Sequence, residues 1–148
     1  MIRKTMTLFL LFCLALSNGS EAQQKPAFVI VVNPDVPVKE ISAKELGRIF
    51  LKKRQTWEND KKIMAVDQSS SNDLREEFSE FAHQKKTANI KAFWQKQIFS
   101  GRSVPPPEKA SDDLVLEYVQ ETPGAIGYVS ASADIGDYKV KKLEIKKD

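Results

Sequence analysis

An α/β domain, a mixed sheet flanked by helices, is the fold class this sequence predicts. Two observations carry that expectation. Continuous apolar runs rich in β-branched residues, AFVIVV at 27–32 and KIMAV at 62–66, read as strands inside a sheet. Between and after them stand four segments whose apolar residues recur at helical spacing, and a further strand-like run, AIGYVSA, follows at 125–131.

The first residues are set apart from that domain. Arg3 and Lys4 precede an apolar run, MTLFLLFCLAL, too short to span a bilayer well, and SNGSEA follows with small residues at Ser20 and Ala22. This is the pattern of a secretory signal peptide over 1–22, cleaved after Ala22, which leaves one domain over 23–148 in a periplasmic compartment. The only cysteine, Cys13, falls inside that leader. The remainder therefore has no disulfide, thiolate metal site or cysteine nucleophile.

The elements follow in order. AFVIVV ends at Asn33-Pro34, and NPDVPV cannot continue a hydrogen-bonded ladder. Ser42 opens a helix with Glu45 three residues later, a capping box, and Ile41 and Leu46 stand at the staple positions. Leu46, Ile49 and Phe50 form its buried stripe, and the basic LKKR suits its C-terminus. Trp57 and the polar END mark a turn before the strand KIMAV. The second helix, NDLREEFSEFAHQ, carries Leu74, Phe78, Phe81 and Ala82 on one stripe, with Arg75, Glu76, Ser79 and Glu80 off it. Thr87 is the expected cap of a third helix, whose Ile90, Phe93, Trp94 and Ile98 face the core and which Gly101 stops. GRSVPPPEKA is a stiff connection. Ser111 caps a fourth helix, with Asp112 and Asp113 in its first turn and Leu114, Val115, Tyr118 and Val119 as its stripe. TPG closes it, AIGYVSA is the next strand, and KVKKLEI reads as a last strand at the sheet edge.

Charge excludes some functions. The chain carries a formal +3, and about +2 without the leader's two cations and one anion. The basic residues are dispersed and lack interleaved aromatics, so nucleic acid is not an expected partner. His83 is the only histidine; at a helix C-terminus it is expected to be partly cationic and to act as a cap. One histidine without cysteine makes no zinc site, and Ser69–Ser71 lie about 18 Å of helix from His83, so no serine triad forms. Neither a cofactor nor an enzymatic activity is expected. The glycines of PGAIGYV lack nucleotide-loop spacing and suit a turn plus a strand packed closely at Gly127.

Four stretches, ISAKELGRIFLKKRQTWEND, MAVDQSSSNDLREEF, AFWQKQIFSG and ETPGAIGYVSAS, occur in this order over most of the chain. Together they resemble the phosphate-binding proteins of phosphate ABC transporters, and most of all the short, single-lobe exported members of the type 2 periplasmic binding-protein superfamily. The resemblance implies one lobe of a fold in which two lobes close on phosphate. It also implies a periplasmic role in delivering phosphate to a membrane transporter or reporting it to a sensor. An envelope adaptor of the same fold without ligand, docked to another protein or to a second copy as a homodimer, is the alternative.

The same resemblance places the ligand at Ser69, Ser70 and Ser71, where the family's hydroxyl donors stand, with Arg75 nearby. The family's glycine is missing from this turn, and Asp67 or Gln68 replaces its arginine. Physics permits an anion here: a helix N-terminus offers free N–H groups and a partial positive charge. Asp67 and Asp73 oppose it, and Ser70 with Asp73 also fits an S-x-x-D helix cap. An anion cup and a plain capped loop are both open readings of these serines.

Overall fold

The computed structural model describes residues 25–147. The expected signal peptide and Cys13 lie outside the described residues. A five-stranded sheet forms the centre, in the order β2 (Glu40–Ser42), β7 (Lys141–Lys146), β1 (Phe28–Val32), β6 (Ala125–Ser130), β3 (Met64–Ala65). β1 runs antiparallel to both neighbours, while β2 lies parallel to β7 and β3 parallel to β6. A second pair, β4 (Asp67–Gln68) and β5 (Glu108–Lys109), stands apart from it.

β1 explains the two-sided burial. Phe28, Ile30 and Val32 pack with Leu46, Ile49 and Phe50 of α1 (Ala43–Phe50) and with Leu74, Phe78 and Ala82 of α2 (Asp73–His83). On the opposite face Val31 joins Val66, Val129 and the Val115, Leu116 and Val119 of α4 (Asp112–Glu121). An apolar residue at every position is what a strand covered by helices on both faces requires. The α1 cap matches the sequence: Ser42 Oγ accepts from the Glu45 N–H at 3.2 Å, and Glu45 returns the bond to the Ser42 N–H at 3.1 Å. Ser111 Oγ likewise accepts from Leu114 N–H at 3.3 Å.

Several expectations change. KVKKLEI is not an edge strand, because Glu40–Ser42, the extended approach to the α1 cap, adds on the outer side of β7. Only Met64–Ala65 of KIMAV joins the sheet, since Ile63 donates to Gln55 instead; β3 is the edge. Thr87 is the first residue of α3 (Thr87–Phe99) and not its cap, because Glu76 of α2 takes the Thr87 N–H at 2.9 Å. Burial along α3 stops at Trp94, so Ile98 and Phe99 are 52% and 93% exposed. In α4 the buried stripe runs through Leu116, and Leu114 faces solvent.

Two glycines hold the layers close. A Cβ on Gly127 would stand 2.8 Å from methyls of both Val115 and Val66, so α4 reaches β6 only because that carbon is missing. Gly124 has φ +75°, and a Cβ there would strike the Lys62 carbonyl. Its own carbonyl accepts from Trp57 Nε1 at 2.9 Å, tying the 51–63 turn to the sheet. Gly127→Ala is expected to cost about 1–3 kcal/mol from overpacking. Gly124→Ala is expected to cost more, because the clash is with backbone and the dihedral is strained as well. Urea midpoints at constant m-value measure both.

Candidate functional site

After Val66 the chain leaves β6, and Asp67 and Gln68 pair with β5 instead. The Asp67 N–H donates to the Pro107 carbonyl at 2.9 Å and the Ser69 N–H to the Lys109 carbonyl at 2.8 Å. The serines therefore emerge where the strand ends. The Asn72 N–H donates to the Ser69 carbonyl at 3.0 Å, which closes the turn ahead of α2.

The cap of α2 is Asn72, whose Oδ1 accepts from the Leu74 N–H at 3.0 Å. Of the two readings left open for the serines, the Ser70–Asp73 cap does not form, because Asn72 stands closer to the first turn and does that work. Ser69 Oγ and Ser71 Oγ lie 3.1 Å apart, and the Ser70 hydroxyl makes no hydrogen bond among the described residues. Ser71 is exposed, and Ser69 and Ser70 are half-buried.

Arg75 points inward. It is 4% exposed, although the helical stripe places it on the solvent side. Its Nη2 pairs with Asp67 Oδ2 at 3.1 Å, and its Nη1 donates to the Gln68 carbonyl at 2.6 Å and to Glu108 Oε1 at 3.3 Å. Ser79, one helical turn on, is buried beside this face and donates to the Lys85 carbonyl at 2.7 Å. The guanidinium thus braces the base of the serine turn and is already neutralised.

Asp67 completes the brace. Its Oδ1 accepts from the Tyr128 hydroxyl at 2.5 Å and from the Gln68 N–H at 2.9 Å. Tyr128 stacks on Phe78 with ring centroids 3.9 Å apart. Gln68 Nε2 donates to Asp112 Oδ1 at 2.8 Å and to the Tyr128 carbonyl at 3.1 Å, and Asp112 Oδ2 accepts from Ser130 N–H at 3.2 Å. This network joins β4, β6 and the first turns of α2 and α4. Sequence reading singled out none of it as a unit. The available signal was two polar residues, Asp67 and Gln68, directly continuing a buried apolar run.

Burial pushes the Asp67 carboxyl up to about 6 despite Arg75, which pulls the other way. Burial also raises the Tyr128 phenol, so it remains a donor. His83, at the end of α2, is not the cationic cap expected. Burial, then Arg75, Lys53 and Lys85, pushes it down to about 4, so the ring is neutral, and its Nδ1 has no partner among the described residues. Among the described residues no cluster of His, Cys, Asp and Glu can hold a metal ion, and no helix is long and apolar enough to cross a membrane.

Known proteins align with this architecture. A family profile described as a PBP superfamily domain matches residues 24–147. The phosphate-binding protein PstS of Bacillus subtilis (strain 168) is 32% identical over 118 residues, covering 77% of this chain and 34% of its own. The crystal structure of an ABC-type phosphate transport receptor from Vibrio cholerae superposes with a TM-score of 0.61 at 21% identity, over 80% of this chain and 46% of the receptor. PstS from Borrelia burgdorferi superposes with a TM-score of 0.57 at 19% identity, over 81% of this chain and 47% of that one. The chain spans about a third of the Bacillus relative and under half of each solved relative.

Two consequences are measurable. Arg75→Ala leaves Asp67 buried without its cation and is expected to destabilise the fold by about 3–5 kcal/mol, read from urea unfolding. The second concerns pH. His83 is depressed in the fold, so its contribution is full above about 6.5 and is lost as pH falls toward about 4. Asp67 is raised from 3.8 to about 6, so its contribution is full below 3.8 and is lost as pH rises through about 6. The two shifts are comparable and opposite, so these groups together leave stability nearly flat across that window. In His83→Phe stability is expected to rise as pH falls from 6.5 to 4, by unfolding followed at matched ionic strength.

Proposed function

This chain belongs to the PBP superfamily, and we propose that it binds a small oxyanion, phosphate foremost, at Ser69, Ser70 and Ser71 and the α2 N-terminus. One observation carries the reading. Asn72 caps α2, so the serine hydroxyls are not consumed by helix capping and cluster at an exposed helix N-terminus. The phosphate-binding names of the relatives supply the anion. Arg75 serves here as the brace that sets the turn, through the Gln68 carbonyl, and not as a free charge on the ligand. No catalytic group enters this reading; the chain is a binding protein.

The site is open on one side, which sets the affinity. A charge interaction at 4 Å is worth about 1 kcal/mol in water against about 4 at an intermediate dielectric. Binding by the chain alone is therefore expected near the millimolar range, about 4 kcal/mol. Tight binding requires a cover over the serines, supplied by a membrane transporter or sensor that receives the anion, or by a second copy. The exported leader read from the sequence puts that encounter in the periplasm.

A second reading, an envelope adaptor without ligand, is favoured by one surface. Phe99 is 93% exposed, with Ile98 and Val104 also open and prolines 105–107 stiffening the connection beside them. Calorimetric titration of the chain with phosphate, with sulfate as control, separates the two. Millimolar binding that weakens about tenfold in Ser70→Ala with Ser71→Ala, at unchanged melting temperature, supports the serine cup. No heat at millimolar phosphate overturns it and leaves the adaptor.

A further inference from the structure

A second cationic site lies away from the serines, at the open edge of the sheet. A cavity of about 180 Å³ is lined by Lys52, Arg54, Gln55, Lys62, Ala65 and Ser103 among others. The turn after α1 forms one wall and the connection before β5 the other.

The charges there are unbalanced. Arg54 is spent on Glu45 at 3.0 Å and lies over the Trp57 ring at 5.8 Å. Lys52 and Lys62 have no carboxylate within ion-pair distance among the described residues. Lys52 is held half-buried at φ +55°, a backbone conformation that disfavours a lysine. Burial, and then the charge of Lys62, pushes its ammonium below the usual lysine range. Two like charges lining one concavity without a paired carboxylate, Lys52 half-buried and Lys62 exposed, are an arrangement that a bound anion would stabilise.

The edge strand supplies a further donor. The Met64 N–H donates to Gly124 and the Val66 N–H to Ile126, both toward β6. Alternation along the strand turns the Ala65 N–H the other way, out of the ladder, and Ala65 lines the cavity. The Ser103 hydroxyl and the Gln55 amide add neutral donors from the two walls.

We infer that this cavity is a second anion site, taking one small oxyanion such as phosphate or sulfate between Lys52 and Lys62, with the Ala65 amide as a fixed donor. The volume sets the ligand class. It falls below the roughly 300–1,000 Å³ of pockets that hold drug-sized ligands, so a nucleotide or peptide is too large. The assignment does not depend on the serine cup, which uses other residues.

Amide NMR titration of the full chain reads both sites at once. Sodium sulfate and sodium phosphate are compared with sodium chloride at matched ionic strength. Saturable shifts of the Lys52–Gln55, Ala65 and Ser103 amides by the oxyanions, and not by chloride, are expected. Lys52→Gln with Lys62→Gln removes both charges and keeps a polar side chain one atom shorter, and a melting curve checks the fold. In that variant the affinity at these amides is expected to fall about tenfold or more, while the response of the Ser69–Asp73 amides is unchanged. Equal shifts with chloride, or an unchanged affinity in the folded double variant, would overturn the second site. Loss of response at Ser69–Asp73 alone would count against the serine cup and leave this site standing.

Discussion

The ion pair between Asp67 and Arg75 is the constraint from which the rest of the site follows. The chain must leave the central sheet after Val66 and pair with β5, and a buried backbone that changes partners needs polar groups to hold the crossing. Asp67 takes the Gln68 N–H and the Tyr128 hydroxyl, while Arg75 takes the Gln68 carbonyl. A buried ion pair is weak evidence for stability by itself, since desolvation offsets most of the attraction. Its role here is positional. It fixes where β4 ends, and so where the serines and the first turn of α2 stand.

The brace also ties the site to the apolar core. Tyr128 presents its hydroxyl to Asp67 and its ring to Phe78, with Phe28 and Phe50 edge-on or tilted against the same pair. The aromatic cluster and the polar crossing thus share one side chain. Displacing Tyr128 would disturb both the packing of α2 on the sheet and the hydrogen bonds under the serines. Asp112 extends the tie to α4 through Gln68 and Ser130.

What the sequence disclosed and what it hid divide by range. The Ser42–Glu45 capping box, the β1 run and the Gly127 close approach were legible, because each is set by neighbours in sequence or by a residue type with one dominant use. The S-x-x-D spacing leaves Ser70 open as the α2 cap, and only the turn geometry, which sets Asn72 Oδ1 against the Leu74 N–H, gives that position to Asn72. Arg75 was placed on the solvent side because helical periodicity counts apolar residues alone. Its burial depends on Asp67 across a turn and on Glu108 from a strand far along the chain, pairings that no local spacing announces. The exposed end of α3 was missed for the mirrored reason: Ile98 and Phe99 keep the periodicity after the neighbouring helix has stopped covering it.

The serine turn and the edge cavity differ in the kind of field they offer an anion. At the serines the cation is buried and matched by Asp67 and Glu108, so the donors that face outward are neutral serine hydroxyls, beside the exposed carboxylate of Asp73. Such donors are directional and short-ranged, and they favour a ligand that accepts several hydrogen bonds at fixed angles. In the edge cavity the lysines carry uncompensated charge, whose attraction is less directional and weakens with salt. On the proposed reading, angular selectivity among oxyanions belongs to the serine turn, and the edge cavity holds its oxyanion chiefly by charge. The separation follows from Arg75 itself. Because the fold spends that guanidinium on Asp67 to hold the crossing, a free positive charge has to come from elsewhere, and among the several unpaired lysines Lys52 and Lys62 are the two that line the edge cavity.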